Sequence, residues 1–169
     1  IPILQVDGFE ADDVIGTLAT KAGKQGITTY MLTPDKDYGQ LVTDNVFMYR
    51  PRHGGGYEVM GPEEVKAKYA IPSTSAVIDL LALMGDASDN FPGCPGVGEK
   101  TAVKLINDFG NVEQLIERTS ELKGALKTKV ETHIDEIKLS KFLATIRTDV
   151  PIELKMDELK VTQPNEAEL

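Results

Sequence analysis

The apolar rhythm of this 169-residue chain changes once, and the change falls on a proline- and glycine-rich stretch, Pro92-Gly93-Cys94-Pro95-Gly96-Val97-Gly98. Before it, short β-branched runs alternate with runs of helical period; after it, the period is helical almost to the end. A chain with that order has few ways to bury its apolar faces: a sheet layered with helices, followed by a helical module. Residues 3–6, 27–32, 46–49 and 57–60 read as strands, the last two flanking the turn Arg52-His53-Gly54-Gly55-Gly56. Residues 10–24 read as a helix with Val14, Ile15, Leu18, Ala19 and Ala22 at helical spacing, and Leu41-Val42 closes a shorter one. Gly61-Pro62-Glu63-Glu64 opens another, with proline near its first position. Ser73 or Ser75 would cap an apolar helix through Val77, Ile78, Leu80, Leu81 and Leu83. From Glu99 onward the pattern predicts helices over 101–109, 112–117 and about 126–146, and a strand over 150–154. The expected class is α/β: a central, mostly parallel sheet flanked by helices over residues 1–92, a helical module over 93–150, and a returning strand with a linker tail over 151–169.

Charge sharpens the division. Residues 1–50 hold 4 basic and 7 acidic side chains, residues 51–92 hold 3 and 6, residues 93–150 hold 9 and 9, and residues 151–169 hold 2 and 5. The net charges of −3, −3, 0 and −3 sum to −9, which by itself speaks for an acidic protein and against a nucleic-acid binder. Yet half of all Lys and Arg lie in the one segment that is neutral. No apolar run approaches the roughly 20 residues needed to cross a bilayer. The single cysteine, Cys94, has no partner within the chain and suits a reducing cytoplasm. The chain opens on Ile1-Pro2-Ile3-Leu4-Gln5-Val6 without a methionine, as though partway into a strand, so a fragment of a longer protein is expected.

The carboxylates gather where elements join. Glu10, Asp12 and Asp13 stand at the start of the first helix, Asp35 and Asp37 after the second strand, and Asp86 and Asp89 after the apolar helix. Taken singly, each cluster has a structural explanation: a helix macrodipole favours acids in the first turn, and Asp is common in turns. Together they fall at the edge of an α/β sheet where ligands bind, and several carboxylates in one cleft repel unless cations neutralise them. Mg²⁺ and Mn²⁺ prefer oxygen ligands, and a pair of such ions supports in-line phosphoryl displacement. His53 and His133 lie far apart in sequence, which argues against zinc.

The stretch from Gly93 to Thr101 resembles a P-loop until it is counted: Gly98 is followed by Glu99 where that motif needs Lys. It reads better as a hairpin between two helices. Gly96, Val97 and Gly98 would let backbone N–H groups approach a phosphate, Thr101 lies in the first turn of the second helix, and Lys100 and Lys104 would add counter-charge.

Four motifs, Gly8-Phe9-Glu10-Ala11-Asp12-Asp13-Val14-Ile15, Thr33-Pro34-Asp35-Lys36-Asp37, Leu83-Met84-Gly85-Asp86-Ala87-Ser88-Asp89-Asn90 and Pro95-Gly96-Val97-Gly98-Glu99-Lys100-Thr101-Ala102, resemble in order and spacing the flap-endonuclease-type 5′ nucleases. The resemblance is greatest to the 5′→3′ exonuclease domain of bacterial DNA polymerase I and continues through residues 143–150. It implies a PIN/5′-nuclease-like fold whose sheet is incomplete here, a helix–hairpin–helix-type grip on duplex DNA, and two-metal hydrolysis at a 5′ end or flap. By the same resemblance Glu10, Asp12 and Asp13 would surround one Mg²⁺, Asp35 and Asp37 would lie between the sites, and Asp86 and Asp89 would serve the other, with Mn²⁺ able to substitute. Gly96, Val97, Gly98, Lys100, Thr101 and Lys104 would contact flapped, nicked or branched duplex, with K⁺ bridging the hairpin to a phosphate. The chain would act as a monomer, with polymerase domains following it in the parent. Phe9 and Cys94 stand where Tyr and an aliphatic residue are expected, and neither removes a ligand. The family's first strand with its aspartate, a second acidic loop and the basic arch have no counterpart in the sequence, so weak or no activity is expected of this piece alone. Two other readings stay open: a Toprim-like Mg²⁺ site, which leaves the hairpin and Asp86-x-x-Asp89 unexplained, and a non-catalytic DNA-binding module.

Overall fold

In the computed structural model of the protein, residues 2–52 and 54–161 are described. Helix α1, Ala11–Lys24, buries Val14, Ala19 and Ala22, with Asp12 and Asp13 in its first turn and Lys21 and Lys24 in its last, the polarity its dipole favours. It covers a three-stranded sheet of order β1-β2-β3, formed by Thr29–Leu32, Val46–Pro51 and Tyr57–Met60. The register sets Met31 beside Met48 and Met48 beside Met60, so three buried methionines line the inner face. On the outer face Tyr30 stacks on Phe47 at 5.6 Å and Tyr49 on Tyr57 at 4.7 Å, the alternation a half-buried sheet requires. A 3-10 turn, Lys36–Leu41, follows β1.

Helix α2, Pro62–Tyr69, starts on proline, and the Glu64 carboxylate accepts the Gly61 N–H at 2.9 Å. Helix α3, Ala76–Met84, is apolar nearly all round and buried accordingly, packing on α4 (Glu99–Phe109), α7 (Ile134–Ala144) and the 3-10 turn. Its buried charge, Asp79, accepts the Val112 N–H at 3.0 Å at the head of α5 (Val112–Glu117) and the Lys141 ammonium at 2.8 Å. Lys141 also reaches Glu113 at 2.7 Å, so one ionic cluster ties α3, α5 and α7. After α3 the chain doubles back. Asp86 and Phe91 exchange backbone hydrogen bonds of 3.0 Å, and Gly85 and Gly93 cross so closely that a Cβ on Gly85 would meet the Pro92 carbonyl oxygen at 2.6 Å. Both glycines have positive φ, which only glycine adopts freely at such a crossing. The Gly93 N–H then donates to the Ser140 hydroxyl at 2.8 Å, within the core. A single buried cluster runs from Ala19 to Ile146 through the sheet layer and the helical module.

Five expectations are corrected. Residues 3–6 form no strand: among the described residues no ladder partner lies beside them, and Ile3 is 92% exposed. The described sheet has one parallel pairing and one antiparallel, where mostly parallel pairing is expected. The long helix over 126–146 is two, α6 (Gly124–Thr132) and α7, broken at His133, whose backbone leaves the helical region at φ −116° while its N–H caps the Lys129 and Val130 carbonyls. Residues 150–154 form a strap and no strand. The Val150 N–H donates to the Thr17 hydroxyl at 3.1 Å, and Lys21 donates to the Ile152 carbonyl, so side chains of α1 take the bonds a neighbouring strand would take. Ser73 and Ser75 bond each other at 2.9 Å, and Ser75 caps α3 by position without a side-chain bond. The expected tail beyond Val161, and His53 in the 52–56 turn, lie outside the described residues.

Candidate functional site

The connections at one edge of the sheet carry the acids. Glu10 precedes α1 in extended conformation, aiming the first turn at a cleft of about 580 Å³. Asp12 accepts the Asp13 N–H at 3.0 Å, and Asp13 accepts the Arg147 N–H at 2.8 Å, which draws the segment after α7 against the head of α1. Asp35 caps the 3-10 turn by accepting the Asp37 N–H at 2.9 Å, while its own N–H donates to the Thr33 hydroxyl at 3.1 Å. The turn therefore fixes both residues of the Asp-Lys-Asp motif. Asp89 arrives from the 86–91 loop. Glu10, Asp12, Asp13, Asp35, Asp37 and Asp89 line this one cleft, and residues 142–147 with Phe91 form the opposite wall.

Asp86, the seventh expected acid, is not in the lining. Its side chain is 9% exposed and forms an ion pair with Lys36, with the Ser88 N–H donating to it at 2.9 Å. The Lys36 and Ser88 hydrogen bonds hold the Asp86 carboxyl well below the usual carboxylate range. Asp37 is its opposite. One carboxylate oxygen, Oδ1, is buried without a hydrogen-bond partner, and burial followed by the charge of Asp35 pushes its pKa up to about 7. Burial also raises Asp12. Among the described residues, no three of His, Cys, Asp or Glu are drawn together tightly enough to form a ready ion cage. The donor set nevertheless fits a hard divalent cation. The lining holds neither His nor Cys, an orphaned buried carboxylate oxygen faces like charges, and Mg²⁺ typically takes only one or two carboxylates and keeps waters.

A turn at Gly96 leads into α4 as the spacing predicts, but the helix before it, α3, ends at Met84, so the turn closes a loop over 85–98 and no tight hairpin between two helices. Gly96 has φ +78°, Val97 is buried beneath the turn, and Gly98 is the extended residue before α4, with no side chain capping that helix start. Thr101 lies in the first turn, while Lys100 and Lys104 are exposed. Lys104 and Thr101 border a second cavity of about 490 Å³ with Arg118 and Lys123. Sequence reasoning missed two participants. Lys129 of α6 donates to the Gly96 carbonyl at 3.2 Å, placing an ammonium against the loop. The other is the wall from Phe142 to Arg147, of which Leu143 to Arg147 carried a resemblance signal without an assigned role. Arg147 lies over the Phe9 ring at 4.9 Å, linking the divergent Phe9 to that wall.

A small sheet with acids at one edge, joined through one core to a helical hairpin module, is the architecture of a resolvase-like nuclease domain followed by a helical fold. The chain belongs to the 5′-3′ exonuclease family: residues 1–70 match its N-terminal resolvase-like domain and residues 72–167 its C-terminal SAM fold. It is 46% identical over 158 residues to DNA polymerase I of Bacillus subtilis, covering 92% of this chain and 18% of the relative. Against the thermostable DNA polymerase I of Thermus aquaticus it is 42% identical over 167 residues, 98% of this chain and 19% of the relative. It thus spans about a fifth of the length of these relatives. Two solved structures share the fold at 23% identity and TM-score 0.77, each covering 88% of this chain and 54% of the other. One is a bacteriophage T5 5′-exonuclease with divalent metal ions (zinc) bound; the other is the T5 flap endonuclease in a pseudo-enzyme-product complex with DNA and metal ions. Family membership sets the Toprim-like alternative aside. No described helix is long and apolar enough to cross a membrane.

Proposed function

We propose that this chain is part of a structure-specific 5′ nuclease of bacterial DNA replication and repair, hydrolysing a phosphodiester at a 5′ end or flap. The observation that carries the reading is the convergence of six carboxylates on one cleft, with the Asp37 oxygen buried and unpartnered among them. Asp12, Asp13, Asp35, Asp37 and Asp89, with Glu10 at the margin, would hold two divalent cations, Mg²⁺ by preference. Such ions, when bound, supply a water of lowered pKa and charge for the leaving oxygen.

The chain's own residues do the positioning. Asp35, locked by its bonds to the Asp37 and Thr33 groups, keeps the Asp-Lys-Asp turn rigid. Asp13, through the Arg147 N–H, holds the far wall at a fixed distance across the cleft. At the other end Gly96, Val97 and Gly98 would offer backbone N–H groups to a duplex phosphate, with Lys100, Thr101 and Lys104 alongside and a monovalent cation such as K⁺ at the loop carbonyls. Polymerase domains would accompany the chain in its parent, and weak or no turnover is expected of this piece alone.

Metal binding is read directly. Calorimetric titration with Mn²⁺ should give saturable binding to the native chain and at least roughly tenfold weaker binding to Asp35→Asn combined with Asp37→Asn, since two of the converging charges are lost. Undiminished binding to the double variant would sink the assignment, and absence of binding to the native chain would favour a non-catalytic module.

A further inference from the structure

Lys36 stands between Asp35 and Asp37 in sequence, yet its ammonium is spent on neither. It pairs with Asp86, fifty residues away and close to the acidic cleft, whose side chain is 9% exposed against 43% for Lys36. The pair is asymmetric: a carboxylate nearly out of water, fixed additionally by the Ser88 N–H, and a cation with open solvent on its far side. A carboxylate whose side chain is so little exposed is stabilised by a counter-charge beside it. Lysine supplies that charge in displaceable form, a compact and strongly hydrated ammonium on a flexible stem that water receives readily. Asp89, three residues on, faces the cleft while Asp86 is held out of its lining, although the spacing Asp86-x-x-Asp89 reads as a pair.

We propose that Lys36 is a displaceable counter-ion: it neutralises Asp86 while the cleft is free of divalent cation, and swings into solvent when an ion binds, releasing Asp86 to join Asp89. The inference rests on the cleft being a metal site. It makes Lys36 a positioning residue that sets how tightly the Asp86 side takes its ion, and it explains how a cluster of seven acids stays folded without one.

The test compares Mn²⁺ binding by calorimetry, at low ionic strength, for the native chain and Lys36→Met, which keeps the stem and removes the charge. Loss of a unit positive charge within an ammonium's reach of the ion predicts binding about tenfold tighter. The variant should also melt lower than the native chain without divalent ion and recover more on adding Mn²⁺. On the native chain, Mg²⁺ titration should shift the Lys36 side-chain resonances toward those of a free lysine, a readout that needs no variant. Equal or weaker Mn²⁺ binding by Lys36→Met, or unmoved Lys36 resonances while Mg²⁺ binds, overturns the proposal and leaves the metal site standing. No binding of either ion to the native chain overturns both.

Discussion

The acidic cleft and the helical hairpin module carry their charges in opposite ways. In the module, several cations pair with anions nearby on the surface. Arg118 grips Glu121 through two bonds of 2.7 and 2.8 Å, and Lys127 lies one helical turn from Glu131. Such exposed pairs are screened by water and contribute little to stability. In the cleft, like charges are held together by backbone bonds and partial burial, and Asp37 is left without a partner. The module's ion pairs are complete in themselves, whereas the cleft is folded against its own repulsion. Between them stands the Asp79, Lys141 and Glu113 cluster, which fastens α3 onto α5 and α7 of the module.

Breaking that fastening should have the largest effect. Asp79→Ala leaves Lys141 with Glu113 alone and the Val112 N–H unpaired, and should lower stability by about 3 kcal/mol, read as a shift of the urea midpoint at constant slope. A loss under about 1 kcal/mol would mean that the two regions are held by apolar packing alone.

A pH titration sharpens the contrast on the cleft side. Asp37 has a folded pKa of about 7 against roughly 3.9 when unfolded. Between those values the folded state binds more protons, so without metal, stability should fall as pH rises from about 4 to 7 and level off above. Asp12 is shifted the same way and adds to the slope. Asp37→Asn should flatten the slope and raise the melting temperature above pH 7, while divalent ion should flatten it in the native chain. A profile unchanged by the substitution would show that the cleft stores no such repulsion.

The smallest effect is expected at the hairpin. Lys100→Ala should weaken duplex binding severalfold at low salt and reduce the salt slope by about 1, without moving the melting temperature. Unchanged affinity would remove the hairpin from the DNA interface.

Much of this was legible in the residues, and the failures share a cause. Helices α1, α4 and α5 and strands β1 to β3 fall within about two residues of their expected bounds, because turn residues and apolar period agree there. The Asp-Lys-Asp turn and the turn at Gly96 are local devices, so their placement could be read from neighbours. The errors are at long range. Val150 and Ile152 alternate as a strand does, but their backbone groups are taken by Thr17 and Lys21, more than a hundred residues earlier. His133 interrupts an apolar period that runs on through it, and the two helices pack on different partners, α6 on residues 119–121 and α7 on α3. Asp86 looks like a partner of Asp89 until Lys36, from the first third of the chain, claims it.

The strap over α1 has a further consequence, in time rather than in space. Thr17 exchanges bonds with the Arg147 carbonyl and the Val150 N–H, contacts separated by 130 and 133 residues. Closing a loop of that length is an entropic cost met before its contacts form, and such topology slows folding. During synthesis at roughly 5–20 residues per second, α1 emerges many seconds before the segment that clasps it. Helix α1 is thus secured long after it is made, and until residues 142–147 leave the ribosome its acidic first turn has no opposite wall.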